Sequence, residues 1–139
     1  MNLEDYINWN EVISENEFRY YLAELFKNKN KYSSEVLLDI IDILGDKYGK
    51  FYGSLKLSKE EKENLSRILF DLTNFSNLTL IEVLIGAMFN FNLDDYYLFL
   101  KNNINSIKLD EVRNEVFDSL KEYEEGHVVG YHRIDDFFN

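Results

Sequence analysis

Two histidines, His127 and His132, are the side chains of this 139-residue chain best suited to acid–base or metal chemistry near neutral pH, and Glu124, Glu125, Asp135 and Asp136 lie close to them in sequence. The histidines are five residues apart, whereas two ligands on one helical face want a spacing of four. No HExxH motif or paired Glu-x-x-His ligand set is present. These residues read as polar surface groups near an acidic carboxyl end, and neither a metal nor another cofactor is expected. With no cysteine, thiol nucleophiles and thiolate metal sites drop out together. Gly45, Gly49, Gly53, Gly86, Gly126 and Gly130 form neither a GxxxxGK[ST] phosphate loop nor a GxGxxG turn, and no GxSxG elbow occurs. Carboxylates are so frequent that no pair stands out as an acid–base dyad. An enzyme is not expected.

Charge says more than any motif. There are 26 Asp and Glu against 15 Lys and Arg, a net charge of −11. Residues 110–139 hold nine of the acids (Asp110, Glu111, Glu115, Asp118, Glu122, Glu124, Glu125, Asp135, Asp136) against Arg113, Lys121 and Arg133, which leaves −6 there. Crowding like charges opposes folding but attracts a basic partner and speeds encounter with it. The same sign disfavours direct nucleic-acid binding, which needs cations for phosphates. No apolar run approaches 18 residues, so no membrane span is expected. The opening stretch MNLEDYINWNEV carries acids where a secretory signal needs lysine or arginine, so the expected location is cytoplasmic.

The elements that must position these charges are helices. Proline, the strongest helix breaker, is absent. Ser14 and Glu17, flanked by Ile13 and Phe18, have the form of a capping box with its hydrophobic staple. Thr79 and Glu82, flanked by Leu78 and Val83, repeat it, and Ser58 with Glu61 is a third box. From these starts the spacing predicts a short helix near 3–9 and others over 15–28, 34–48, 59–74, 80–91, 93–104 and 109–125. The expected fold is a single all-α domain over residues 1–139 with six or seven helices. It is either an antiparallel bundle or a short solenoid-like array of helical hairpins.

Leu80, Val83, Leu84, Ala87, Met88 and Phe91 recur at steps of three and four, and Ile81, Ile85 and Phe89 make the other side of that helix apolar. It should be the most buried element, with Gly86 admitting a neighbouring backbone. Val36, Leu37, Ile40, Ile41 and Leu44 form a second stripe, and Leu65, Ile68, Leu69 and Leu72 a third.

On the last helix Glu111, Glu115, Asp118, Glu122 and Glu125 step by 4, 3, 4 and 3 and so share one face, while Val112, Val116, Leu120 and Tyr123 occupy another. The tail adds Tyr131, Asp135 and Asp136 among Val128, Val129, Ile134, Phe137 and Phe138, the mixture of aromatics and acids expected where a protein meets a cationic surface. Pinning of Phe137 and Phe138 onto the core is the competing reading of the tail. An ordinary solvated helix face is the competing reading of the acidic row, and the partner-binding candidates are Glu111, Glu115, Asp118, Glu122, Glu125, Tyr131, Asp135 and Asp136. Lesser patches are Asp94, Asp95, Tyr96, Tyr97 and Phe99, and Glu4, Asp5, Tyr6 and Trp9.

With the acidic helix Asp110–Glu125 and its interspersed tyrosines, this small, acidic, cysteine-free helical chain resembles the immunity proteins of bacterial toxin–immunity and contact-dependent growth-inhibition systems. That resemblance implies a cognate basic toxin domain, often a nuclease, blocked by tight one-to-one binding at or near its active site. Two other classes fit the same residues. An acidic nucleic-acid mimic would act against a DNA-binding enzyme, and a helical scaffold would hold a peptide in an apolar groove by contacts that survive high salt.

Overall fold

A computed structural model describes residues 2–9 and 13–129. Among them are seven α-helices and no strand, so the fold is all-α. The chain divides into two compact units, Met1–Leu57 and Ser58–Asn139.

In the first unit α1 (Leu3–Ile7) and α2 (Glu15–Asn28) both pack on α3 (Ser34–Gly49). Ser14 caps α2 as expected: its hydroxyl accepts from the Glu17 amide at 3.1 Å, and Glu17 returns a bond to the Ser14 amide at 3.3 Å. Asn2 and Asp5 build a box of the same kind at α1, and Ser33 caps α3 through the Val36 amide. The second stripe is the buried side of α3 at Ile40, Ile41 and Leu44.

Tyr6 and Trp9 are buried, and so do not form the surface patch expected beside Glu4 and Asp5. The Tyr6 hydroxyl donates to the Tyr21 carbonyl at 3.1 Å, and Trp9 stacks on Tyr21 with ring centres 4.1 Å apart. Lys47 is only 7% exposed; its ammonium donates to the Trp9 carbonyl at 3.3 Å and lies 5.8 Å from the indole centre. After α3 the chain turns through Tyr52, an 88%-exposed side chain on a left-handed backbone (φ 50°), and Gly53 at φ 84°.

The second unit holds α4 (Lys59–Leu72), α5 (Leu78–Phe91), α6 (Asp94–Asn103) and α7 (Asp110–Val129). α5 packs on α7, α4 on α6, and α6 on α7. The Ser58–Glu61 box closes with bonds of 3.1 and 2.7 Å. α5 begins earlier than its sequence signal indicates. Asn77, not Thr79, is the cap, accepting from the Leu80 amide at 3.1 Å, and Thr79 lies within the first turn. Asparagine is at least as good a cap as threonine, and the earlier start brings Leu78 and its backbone bonds into the helix.

α5 buries Ile81, Leu84, Ile85, Ala87, Met88 and Phe91. Leu84 is fully enclosed, but Val83 is 40% exposed and Leu80 half-buried, so the core side is rotated toward Ile81 and Ile85 relative to the predicted stripe. Gly86 does not receive a neighbouring backbone; a Cβ built there would meet nothing within 4 Å. Asn92, left-handed at φ 56°, ends the helix.

Candidate partner-binding face

α7 carries an apolar stripe that runs from Val112 to Tyr123. Val112, Val116, Leu120 and Tyr123 are buried, the side expected from their spacing, and they face the second unit's core where α7 meets α5 and α6. At the start of the helix the Arg113 amide donates to the Leu109 carbonyl at 2.9 Å. The Arg113 guanidinium donates to the Ile107 carbonyl at 2.7 Å and pairs with Asp110.

With that stripe fixed, the carboxylates fall on a solvent side. Glu111, Asp118, Glu122 and Glu125 are exposed, and among the described residues none pairs with them. Glu115 is half-buried and accepts from the Ser119 hydroxyl at 3.4 Å, so it stands nearer the core edge than the other four. Glu111 sits in the first turn, where the positive end of the helix dipole favours it. Glu122 and Glu125 lie in the carboxyl-terminal half, where the amino-terminal dipole gives them no such support. Tyr131, Asp135, Asp136 and His132 lie outside the described residues, as do the side chain of His127 and the tail's Ile134, Phe137 and Phe138.

Glu124 has a different task. The Tyr97 hydroxyl of α6 donates to its carboxylate, and the Lys101 ammonium stands 3.5 Å from the same oxygen and 3.5 Å from the Tyr97 hydroxyl. Tyr97 stacks on Tyr123 with centres 5.1 Å apart, and the Tyr123 hydroxyl donates to Asp94 at 2.5 Å. Phe89 meets Tyr123 edge-on at 5.4 Å. Two tyrosine–carboxylate bonds therefore fasten α6 to the carboxyl-terminal half of α7. The bond from Tyr97 holds the Glu124 carboxyl below its ordinary range, with Lys101 adding to the effect. Burial, and then the bond to Glu124, push the Tyr97 phenol up.

The same clasp revises the Asp94–Phe99 patch. Tyr96 is buried, its hydroxyl 2.9 Å from that of Thr73, while Asp94 and Tyr97 are held in the clasp. Asp95 and Leu98 remain exposed. Adjacency of acids and aromatics in the sequence suggests a surface patch, but it does not show which aromatic reaches across to a neighbouring helix.

Phe117 is a residue the sequence reading passed over. It lies on α7 outside both the buried stripe and the acidic row, between Arg113 and Lys121 at steps of four, and it is 57% exposed. The signal was available: a phenylalanine that misses the 112–116–120–123 spacing has no place in that core.

Among the described residues the arrangement on α7 provides a row of carboxylates without cationic partners. It can accept charged hydrogen bonds from lysine and arginine side chains and can take the place of phosphates in a cationic groove. Among the described residues no group of three His, Asp or Glu side chains is placed to hold a metal ion, and no helix is long and apolar enough to cross a membrane. No protein-family model matches this chain, and no curated protein or solved structure is significantly similar to it.

Proposed function

We propose that this chain is an acidic immunity-type protein that neutralises a basic toxin domain, of the nuclease kind, by one-to-one association through the outer side of α7. The observation that carries this reading is the row Glu111, Asp118, Glu122 and Glu125, exposed and without cationic partners among the described residues. Asp118, Glu122 and Glu125 weaken the helix through like-charge repulsion at steps of four and three. Helix formation gives no reason for Asp118, Glu122 and Glu125, whereas a cationic partner does. A nuclease presents lysines and arginines to phosphates, and this face competes for that groove. Its charge steers association to about 10⁸ M⁻¹s⁻¹ or faster at low salt.

The test is binding of the purified chain to the product of the neighbouring gene, followed in real time over a range of salt concentrations. The triple variant Glu111→Lys, Asp118→Lys, Glu122→Lys should associate at least about tenfold more slowly and show a flatter salt dependence, because exposed charges act mainly on the on-rate. Its far-UV circular dichroism should match the parent. Equal association rates for the two proteins would refute the reading.

A further inference from the structure

On α2 two tyrosines and two carboxylates share one side of the helix. Glu17 precedes Tyr20 and Tyr21 by three and four residues, and Glu24 follows them by four and three, so each carboxylate neighbours both rings. The rings form a corner: Tyr20, 55% exposed, meets the half-buried Tyr21 at 87° with centres 5.7 Å apart. Tyr21 is braced by its stack on the buried Trp9 and by Tyr6, which meets it edge-on at 5.2 Å. The Trp9 indole donates to Glu17 at 3.4 Å, and the Asn28 side chain donates to the Glu24 carboxylate at 3.0 Å. Neutral donors thus orient both carboxylates and leave their charge uncancelled. Burial raises the Tyr21 phenol above its ordinary value, and Asp5 of α1, Glu17 and Tyr20 raise it further, so Asp5 faces the same corner.

We infer that this corner of α1 and α2 binds an arginine side chain of a protein partner, the guanidinium stacking on Tyr20 and donating to Glu17 or Glu24. The charge at the rings themselves selects a cation. Asp5, Glu17 and Glu24 stand against Lys27, one turn beyond Glu24, and among the described residues no cation pairs with the three acids. Arg19 is engaged elsewhere, with Glu15 and with the Lys56 carbonyl at 2.7 Å. Arginine is the cation that fits: its planar guanidinium covers a ring face and forks onto a carboxylate, whereas a lysine ammonium is a point charge that cannot fork. A ring already held at right angles to its neighbour loses little freedom on binding. The site lies in the first unit and does not depend on the function proposed for α7.

The single tryptophan gives one indole peak in a proton–nitrogen NMR spectrum, and its bond to Glu17 makes that peak a reporter on this corner. Titration of the full-length chain with a tetra-arginine peptide, at about 0.15 M salt to screen distant charges, should shift the peak to saturation. A tetra-citrulline peptide, of similar shape without the charge, should leave it in place, and tetra-lysine should bind at least about threefold more weakly. Tyr20→Ala should weaken arginine binding about fivefold, the size of one exposed cation–π contact. Glu17→Gln with Glu24→Gln should weaken it by a similar factor and keep the cap of α2, which glutamine also closes. Each variant is read on its own once its far-UV circular dichroism matches the parent, so loss of fold in one leaves the other decisive. The α7 variant Glu111→Lys, Asp118→Lys, Glu122→Lys should bind the peptide within about twofold of the parent. No saturable shift, an equal response to citrulline, or lysine binding as tightly as arginine would overturn the assignment. So would parent-like binding by Tyr20→Ala or by the glutamine variant. Loss of the response in the α7 variant would give the peptide to α7 and overturn it as well.

Discussion

Replacing Leu84 with alanine should destabilise the second unit by about 3 kcal/mol, whereas Val83→Ala, one residue away on the same helix, should cost less than about 1 kcal/mol. Leu84 is fully buried on the side of α5 that faces the core, and Val83 is 40% exposed. Leucine to alanine removes three carbons, about 2.4 kcal/mol of transfer free energy at about 0.8 per buried methylene. The cavity left behind adds to that, which places the total within the range of about 2–5 kcal/mol seen for such truncations. Urea unfolding followed by far-UV circular dichroism is the assay, since it reads helix content directly and the single tryptophan, Trp9, lies outside the second unit. For a urea slope of about 1.5 kcal/mol/M the midpoint of Leu84→Ala should fall by about 2 M. The pair of variants distinguishes the observed packing from the stripe read off the sequence, which puts both residues in the core. Equal losses for the two, or a loss below about 1 kcal/mol for Leu84→Ala, would refute the assignment of the buried side.

Asn77→Ala should cost about 1 kcal/mol through loss of the cap on the Leu80 amide, and Thr79→Ala less than about 0.5; the reverse order in urea unfolding would return the start of α5 to Thr79. Tyr52→Asn should stabilise the first unit by about 0.5–1 kcal/mol, because asparagine tolerates the left-handed backbone at φ 50° better than an aromatic residue does; an unchanged or lower melting temperature would count against it. Tyr97→Phe removes the donor to Glu124 and should cost under about 1 kcal/mol at neutral pH, given the partial exposure of the carboxylate. Glu124 is held below its ordinary range in the fold, so its contribution is present above the unfolded carboxyl pKa and lost as pH falls through the folded one. The difference between parent and Tyr97→Phe should therefore shrink below about pH 4.5, the ordinary value, and a difference that grows on acidification would refute the clasp.

Local chemistry alone determined much of this protein. The boxes at Ser14 and Ser58, the absence of proline and the apolar spacing of 112, 116, 120 and 123 were enough to place the helices and the buried side of α7. Each of those signals acts within about one or two turns of chain. The acidic row is likewise a matter of spacing once α7 is a helix, and its negative charge follows from composition.

Tertiary packing decided what local patterns leave equal. α5 is apolar nearly all round, so periodicity could not choose between Val83 and Ile85; contact with α7 and the rest of the unit exposes the first and buries the second. Tyr96, Tyr97 and Phe99 look alike beside Asp94 and Asp95 in sequence. Only the approach of α6 to α7 and α4 buries Tyr96, and it ties Tyr97 to Glu124 on a helix 27 residues further along the chain. The same approach takes Glu124 out of the acidic surface and leaves Phe117 in solvent. Which carboxylates are engaged within the fold is set by long-range hydrogen bonds and burial, and the one-dimensional pattern of charges contains neither.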